Sequence, residues 1–463
     1  MEPDRVLSPL ARSRGGRWRL GRRQDEAFRL TSQSFEKQYA QIYFMRLSRL
    51  RERALRAASA CAPEVPVVSI IEVEEDVESV VVGTLDKQMR LKPDILVQYD
   101  GSKKAAAAAG ADGEPSNFCH SGDSLVLEDE SARMPLRGAA ETPGALRVGE
   151  LVTGAVVAVR GRRDDKGGAF EVYDLYFPGL PPQAPPPPLP EDKFVALVSG
   201  LEVRGVEGDP AALQLQLLCD YLTGHLDAEG GLVRRIARVV VCGNSVRCAS
   251  SGTASQEDSA AALRDLDRFL TQLSAALPVD LMPGALDPSN VSLPQQPFHS
   301  CLLPSAGRAT AFCRATNPHL CEVDGLQILA TSGQNVDDLA AYSELPRNPA
   351  GAEGEAAAGG AEDAGEHRVA LMSRLLQMAH LAPTAPDTLG CYPYWQEEPF
   401  VLEQSPHLLV AGNQPGFGAG WMQGTEGQGV RVIAVPSFRA SGTIVLVNLR
   451  DRSCHPVTLD LQL

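Results

Sequence analysis

Zinc-binding spacing is missing from this sequence. Its ten cysteines are scattered, without a CxxC pair and without the Cys/His arrangement that a tetrahedral site needs. The nearest pairs are Cys242/Cys248 and Cys313/Cys321. No apolar run approaches the roughly 18 residues of a membrane helix, and no secretory signal is recognisable. A chain that is neither exported nor membrane-spanning, with reduced thiols, is therefore expected, and the sequon Asn290-Val291-Ser292 is a coincidence. Positive charge is also scarce: 43 Lys and Arg stand against 58 Asp and Glu, a net charge of −15. Holding nucleic acid over a broad surface takes clustered cations. The balance favours protein partners and leaves DNA contact weak or indirect.

Common reaction motifs are absent as well. There is no GxxxxGK[ST] phosphate loop and no HExxH. Gly243-Asn244-Ser245-Val246-Arg247 approaches the G-x-S-x-G nucleophile turn, but Arg247 replaces the last glycine. His120, His225, His299, His319, His367, His380, His407 and His455 form no metal-type cluster in the sequence and read as structural or exposed.

What is present is a chain of 463 residues, 44% hydrophobic, enough for about two to four domains. Residues 1–30 carry Arg5, Arg12, Arg14, Arg17, Arg19, Arg22 and Arg23. Glu2, Asp4 and Asp25 separate this stretch from an acid-poor transit peptide, and a disordered tail is expected. In the helical segment 31–64, Phe35, Tyr39, Tyr43, Leu47 and Leu50 recur at spacings of three and four over residues 34–51, with Ser34 as N-cap. That face is expected to pack on its own domain, with docking of a partner as the alternative.

Residues 65–177 are β-rich. Apolar runs at Val67–Val73, Val80–Leu85, Leu125–Leu127, Leu151–Val159 and Phe170–Phe177 suit a small barrel such as an OB fold. Lys103–Asn117 and Arg347–Gly365 are Ala/Gly/Glu-biased and read as disordered insertions. Pro178–Pro190, within a linker at 178–191, is a polyproline II connector. Residues 192–463 alternate apolar runs (Phe194–Val198, Ile236–Val241, Val279–Met282, Leu326–Ala330, Leu408–Val410) with helical stretches (Asp209–Leu222, Asp258–Leu277, Glu366–Leu381). They end in consecutive strands at Val430–Val435, Thr443–Leu449 and Val457–Leu461. Such alternation means an α/β sandwich with a covered sheet.

Ligand sites of open α/β sheets lie at the carboxyl ends of strands. There this chain has Ser199-Gly200-Leu201-Glu202, Gly243-Asn244-Ser245-Val246-Arg247, Pro283-Gly284-Ala285-Leu286-Asp287, Thr331-Ser332-Gly333-Gln334 and Gly412-Asn413-Gln414-Pro415. The order resembles the calcineurin-like metallophosphoesterases, whose pattern is D-x-H, GDxxD, GNHD, a lone His and GHxH. In that family, carboxylates and imidazoles hold two cations about 3.5–4 Å apart that activate water. Here the frame remains and the ligands do not. Gly200 and Glu202 stand at D-x-H, and Asn244 and Arg247 replace the aspartates of GDxxD. Ala285 and Leu286 replace Asn and His of GNHD, Ser332 replaces the lone His, and Asn413 and Pro415 replace the histidines of GHxH. Only Asp287 survives, and in the family it orients a histidine without binding metal. No catalytic, metal or cofactor residue is expected. Glu202, Asp287, Asp337 and Asp338 read as solvated or capping carboxylates, the last two in the first turn of a helix.

An emptied site in a retained frame resembles the B-subunits of replicative DNA polymerases, those of the delta polymerase above all. The segments that carry this are SFEKQYAQIY (34–43), VVVGTL (80–85), LVLEDE (125–130), LVTGAVVAV (151–159), FVALVSGL (194–201), LPVDLMPGALDPSN (277–290), LPQQPFH (293–299), TSGQNVDDL (331–339), LAPTAPDTLGCYP (381–393), AGNQPGFG (411–418) and LVNLR (446–450). The resemblance implies a multidomain α+β and α/β chain, an OB-fold barrel followed by an inactive calcineurin-like phosphoesterase αββα sandwich at 192–463. It implies a non-catalytic nuclear scaffold in replication, repair and translesion synthesis. Its partners would be the C-terminal domain of the delta catalytic subunit, the third and fourth delta subunits and the catalytic subunit of translesion polymerase zeta. The sliding clamp would be reached indirectly, since no Q-x-x-hydrophobic-x-x-aromatic-aromatic peptide occurs. Two other readings stand beside it. One is a metal-dependent phosphoesterase with an unconventional site. The other is an OB single-strand binder, for which Tyr99, Phe118, Phe170, Tyr173, Tyr176 and Phe177 are the available aromatics.

Overall fold

The computed structural model describes residues 25–30, 34–93, 117–142, 144–164, 168–206, 208–226, 231–247, 253–345 and 361–459. The expected tail up to residue 24 lies outside them, as do residues 103–116 and 347–360 of the two expected insertions.

Five strands, β1 (Ser79–Gln88), β2 (Ser124–Glu128), β3 (Arg133–Gly138), β4 (Val156–Arg163) and β5 (Phe170–Tyr176), close a barrel in the order β1-β2-β3-β5-β4. β1 and β4 read as unbroken apolar runs because both their faces are covered. Val81, Leu85, Val157 and Val159 point into the barrel. Val80, Val82, Val156 and Ala158 pack outward on Leu47, Leu50, Ala54 and Ala58 of α1 (Ala40–Cys61). α1 starts later and runs further than the expected 34–51. Leu47 and Leu50 are buried as the spacing required, but Phe35 and Tyr39 precede the helix and are 64% and 41% exposed.

Val67–Val73 is not a strand: it makes one isolated bridge, Val67 to Val80, and a 3-10 turn at Ile70–Glu72 closed by a Ser69/Glu72 capping box. The strand missing from the sequence reading is β3. Pro135 interrupts its apolar pattern, and the proline is tolerated because the ladder to β5 begins only at Leu136.

The Pro-rich segment is a strap on the second unit rather than a free spacer. Ser405 donates its N–H to Pro182 O and its hydroxyl to Pro181 O. Gln183 exchanges hydrogen bonds with Gly429, and His407 Nε2 contacts Ala184 O at 2.9 Å. Pro187 lies against Gly325, where a Cβ would come within 2.8 Å of its ring.

The second unit stacks two mixed sheets. β6 (Phe194–Val198), β7 (Ile236–Cys242), β8 (Val279–Met282) and β9 (Phe312–Arg314) run parallel, and β15 (Thr443–Asn448) and β16 (Cys454–Thr458) complete the order β16-β15-β6-β7-β8-β9. The other sheet is β10 (His319–Val323), β11 (Leu326–Thr331), β12 (Leu408–Gln414), β14 (Gly429–Pro436) and β13 (Gly418–Gln423), in that order. The closing strands β14 and β15, consecutive in sequence, therefore belong to different sheets. Val195, Leu197, Val240, Ile328, Val410, Ile433 and Val445 fill the space between them. α2 (Pro210–Leu222) and α3 (Thr253–Ala276) cover the first sheet, and α4 (Gln334–Tyr342) and α5 (Ala361–Gln377) the second. Ala361–Gly365, read as the end of an insertion, are the opening residues of α5.

One apolar cluster runs without a break from the barrel interior (Leu85, Leu127, Val159) to α4 and α5 (Val336, Leu371, Leu375). A charged knot reinforces this junction. Arg46, fully buried on α1, donates to Glu398 (2.7 Å), to Gly154 O next to β4 (3.1 Å) and to Pro383 O and Ala385 O (2.6 and 2.8 Å). His380 completes it at 2.7 Å from Glu398. Its Nδ1 accepts the Ala382 N–H, so Nε2 carries the proton and the ring is neutral. Burial and the Arg46 charge push the His380 pKa down to about 4; against burial, Arg46 and His380 bring Glu398 down to about 2.

Candidate functional site

The carboxyl ends of β6, β7, β8, β11 and β12 meet, and their turns are in direct contact. Gly200 N donates to Gly243 O (3.0 Å) and Glu202 N to Asn244 O (2.9 Å). A Cβ on Gly243 would lie 2.5 Å from the Ser332 Cβ, and one on Gly412 would lie 2.4 Å from Cys242 O. Glycine is required at these points by backbone contact. Gly200, Gly243 and Gly333 are left-handed, and so are the non-glycines Glu202, Asn244 and Asn413 (φ 44°, 54° and 57°). Left-handed non-glycine backbone is costly and gathers where an edge is over-determined by its surroundings.

The side chains there bind one another. Asn413 Nδ2 donates to Cys242 O (3.1 Å) and Ser332 O (2.8 Å), stitching the two sheets, while its backbone N–H donates to Ser199 Oγ (2.9 Å). Asn317 Nδ2 lies 2.8 Å from Gln295 Oε1, 2.9 Å from Ser332 Oγ and 2.7 Å from Gln334 Oε1. Gln295 Nε2 reaches Gly284 O at 3.1 Å. Asn244 Oδ1 accepts the Leu286 N–H. These are neutral amides and hydroxyls bonded largely to one another, although Asn413 Oδ1, Gln414 Oε1 and Ser245 Oγ are buried without a hydrogen-bond partner.

Asp287 is buried and accepts Val246 N and Gly284 N, both at 2.8 Å, so it staples the β7 turn to the β8 turn. Burial pushes its pKa up to about 7, against the pull of these N–H groups. Glu202 pairs with Arg247 at 3.2 Å, placing a cation at this edge. Ala285 and Leu286 are exposed, and so is Pro415. Asp337, in the first turn of α4, pairs with Arg368, and Asp338 accepts the Thr384 and Thr388 hydroxyls. Neither carboxylate is available to the strand ends.

Sequence reasoning placed Gln334 at a strand end but missed its inner partners Asn317 and Gln295, because neutral amides carry no catalytic signature. It also missed a histidine cluster. Asp280 on β8 and His319 and Cys321 on β10 lie buried between the sheets, with ligand-type atoms within 4.8 Å of one another. His319 and Cys321 share one face of β10, and only the face-to-face packing of β8 and β10 brings Asp280, 39 residues earlier than His319, to them. Arg238 already holds the Asp280 carboxylate at 2.6 and 2.8 Å, and His319 Nε2 lies 3.2 Å from it. A metal would have to displace a guanidinium. Burial raises the Asp280 pKa, but His319 and Arg238 outweigh it and hold the carboxylate below its usual range. A buried ion network fits these groups better than a cation site.

The family of the DNA polymerase delta subunit OB-fold domain matches residues 38–175, across the barrel and α1. The family of the B-subunits of DNA polymerases alpha and epsilon matches residues 195–419. A rice protein named DNA polymerase delta small subunit is 40% identical over 444 residues, covering 94% of this chain and 96% of its own. The chain belongs to the DNA polymerase delta small-subunit family. An Arabidopsis thaliana member is 39% identical over 95% of both chains. The Saccharomyces cerevisiae member is 31% identical, covering 92% of this chain and 90% of its own. Family membership makes the barrel an OB fold. The network of Asn413, Asn317 and Gln295 falls within the second matched region, 195–419.

Proposed function

We propose that this chain is a non-catalytic scaffold of the DNA polymerase delta complex. It would hold the C-terminal domain of the catalytic subunit and the third subunit that reaches the sliding clamp, in nuclear replication and repair synthesis, and would serve translesion polymerase zeta in the same way. In this reading residues 31–64 and 65–177 form the helix-plus-OB unit, 178–191 connect, and 192–463 are a phosphoesterase frame that has lost its two-metal site. The observation that carries it is the network of neutral side chains at the strand ends. Neutral Asn413, Asn317, Ser332 and Gln295 occupy one another, and Arg247 stands at the same edge. A two-metal hydrolase needs bridging carboxylates and imidazoles at that place.

The test is co-expression of the full chain with the catalytic subunit's C-terminal domain, followed by size-exclusion chromatography at about 0.5 M salt, where exposed pairs are screened. A one-to-one complex is expected. Separate elution of two folded chains overturns the scaffold reading. Stoichiometric bound metal, with phosphodiester hydrolysis abolished by Asp287→Ala, would put a hydrolase in its place.

A further inference from the structure

A groove opens between α1 and the barrel, away from the strand-end edge. Its volume is about 540 Å³, and Ala40, Tyr43, Phe44 and Leu47 of α1 line one side of it. Those positions form one helical stripe, the pattern against which a second helix packs. Phe44 is 52% exposed although its neighbour Leu47 is 3% exposed. Further exposed aromatics lie before the start of α1 and beside it. Phe35 (64% exposed) packs edge-on against Tyr392 at 5.4 Å, and Trp395 (49% exposed) lies under Lys37. Exposed aromatics concentrated on one face mark a protein contact.

The opposite wall is acidic. Asp86, Glu128, Asp129, Glu130 and Asp387 line it, against the cations Arg133, Arg51 and Lys92, which reach Glu128, Glu130 and Asp387 at 2.8, 3.9 and 2.6 Å. Carboxylates remain in excess. Asp86 shares Arg133 with Glu128, at 3.5 Å, and burial still raises its pKa. A nucleic-acid strand is repelled by such a wall.

We infer that this groove receives a basic amphipathic helix from another subunit of the complex, its apolar face on Ala40, Tyr43 and Phe44 and its Lys or Arg residues on Asp86, Glu128 and Glu130. The inference rests on the scaffold reading and names a surface that serves it.

The full chain, with p-benzoylphenylalanine in place of Phe44, is co-expressed with the delta catalytic subunit and the third subunit and irradiated. Cross-linking to a Lys/Arg-bearing helix of one of these subunits is expected. Phe44→Glu and the exposed double neutralisation Glu128→Gln/Glu130→Gln should each weaken association at least tenfold, with cooperative unfolding retained. Cross-links confined to this chain or a second copy overturn the inference, as do cross-links to added oligo(dT) or unchanged affinity in both variants. In those outcomes a wild-type complex leaves the scaffold reading standing. Failure of the wild-type chain to co-purify with either subunit removes both.

Discussion

Two polar knots hold this molecule together, and they are built from opposite materials. At the strand ends, Asn413, Asn317, Gln295 and Ser332 join the sheets with uncharged groups. At the junction of α1, barrel and sandwich, Arg46, Glu398 and His380 do the joining with buried charge. The neutral knot tolerates loss of one member, because its remaining groups are still amides and hydroxyls. The charged knot does not, because removing either ion strands the other in a dry interior. The strand-end edge is thus the more forgiving of the two, while the inter-unit junction is strong but conditional.

The largest effect that would sharpen this contrast is expected from Glu398→Gln. It leaves the Arg46 guanidinium without its counter-ion and should cost about 3–5 kcal/mol, read as a fall in the denaturant midpoint. Asn317→Ala, in the neutral knot, should cost about 1–3 kcal/mol in the same measurement. Equal losses in the two variants would break the comparison. Arg247→Ala comes third. Its guanidinium is 53% exposed beside Glu202, and a change below about 1 kcal/mol is expected.

The last effect is one of slope. His380 has a pKa of about 4 in the fold against an ordinary 6.5, and Glu398 about 2 against 4.5. The unfolded chain therefore binds more protons, and stability falls as pH drops from about 6.5 towards 4 and then towards 2. Asp287 runs the other way: at about 7 against 3.8, it takes up a proton in the fold first, and its contribution grows as pH falls from 7 to 4. His380→Gln should flatten the acid loss between pH 6.5 and 4, and Asp287→Asn should steepen it. Both are read from denaturant midpoints across that range.

The parts of this design that were legible are those written as local pattern. β6 and β8 were read to the residue: β6 is an unbroken apolar run, and β8, interrupted only by Asp280, is bounded by Pro278 and Pro283. The strand-end turns were legible for the same reason. β3 was hidden by Pro135, and the start of α1 by Phe35 and Tyr39, which keep helical spacing while lying outside the helix. Groups united only by packing had no local signal. Arg46 reads as one more surface arginine until Glu398 meets it, and Asp280 joins His319 and Cys321 only when two sheets are stacked.

The knot at Arg46 also sets a schedule. Its carboxylate partner lies 352 residues further along the chain. At roughly 5–20 residues per second of synthesis, that separation is on the order of twenty to seventy seconds. Throughout that interval the newborn helix and barrel must wait with a guanidinium pointed at an interior that has not yet been made. Until residue 398 leaves the ribosome, the first third of this protein is an unfinished joint, and whatever shields it there governs how much of the chain arrives folded.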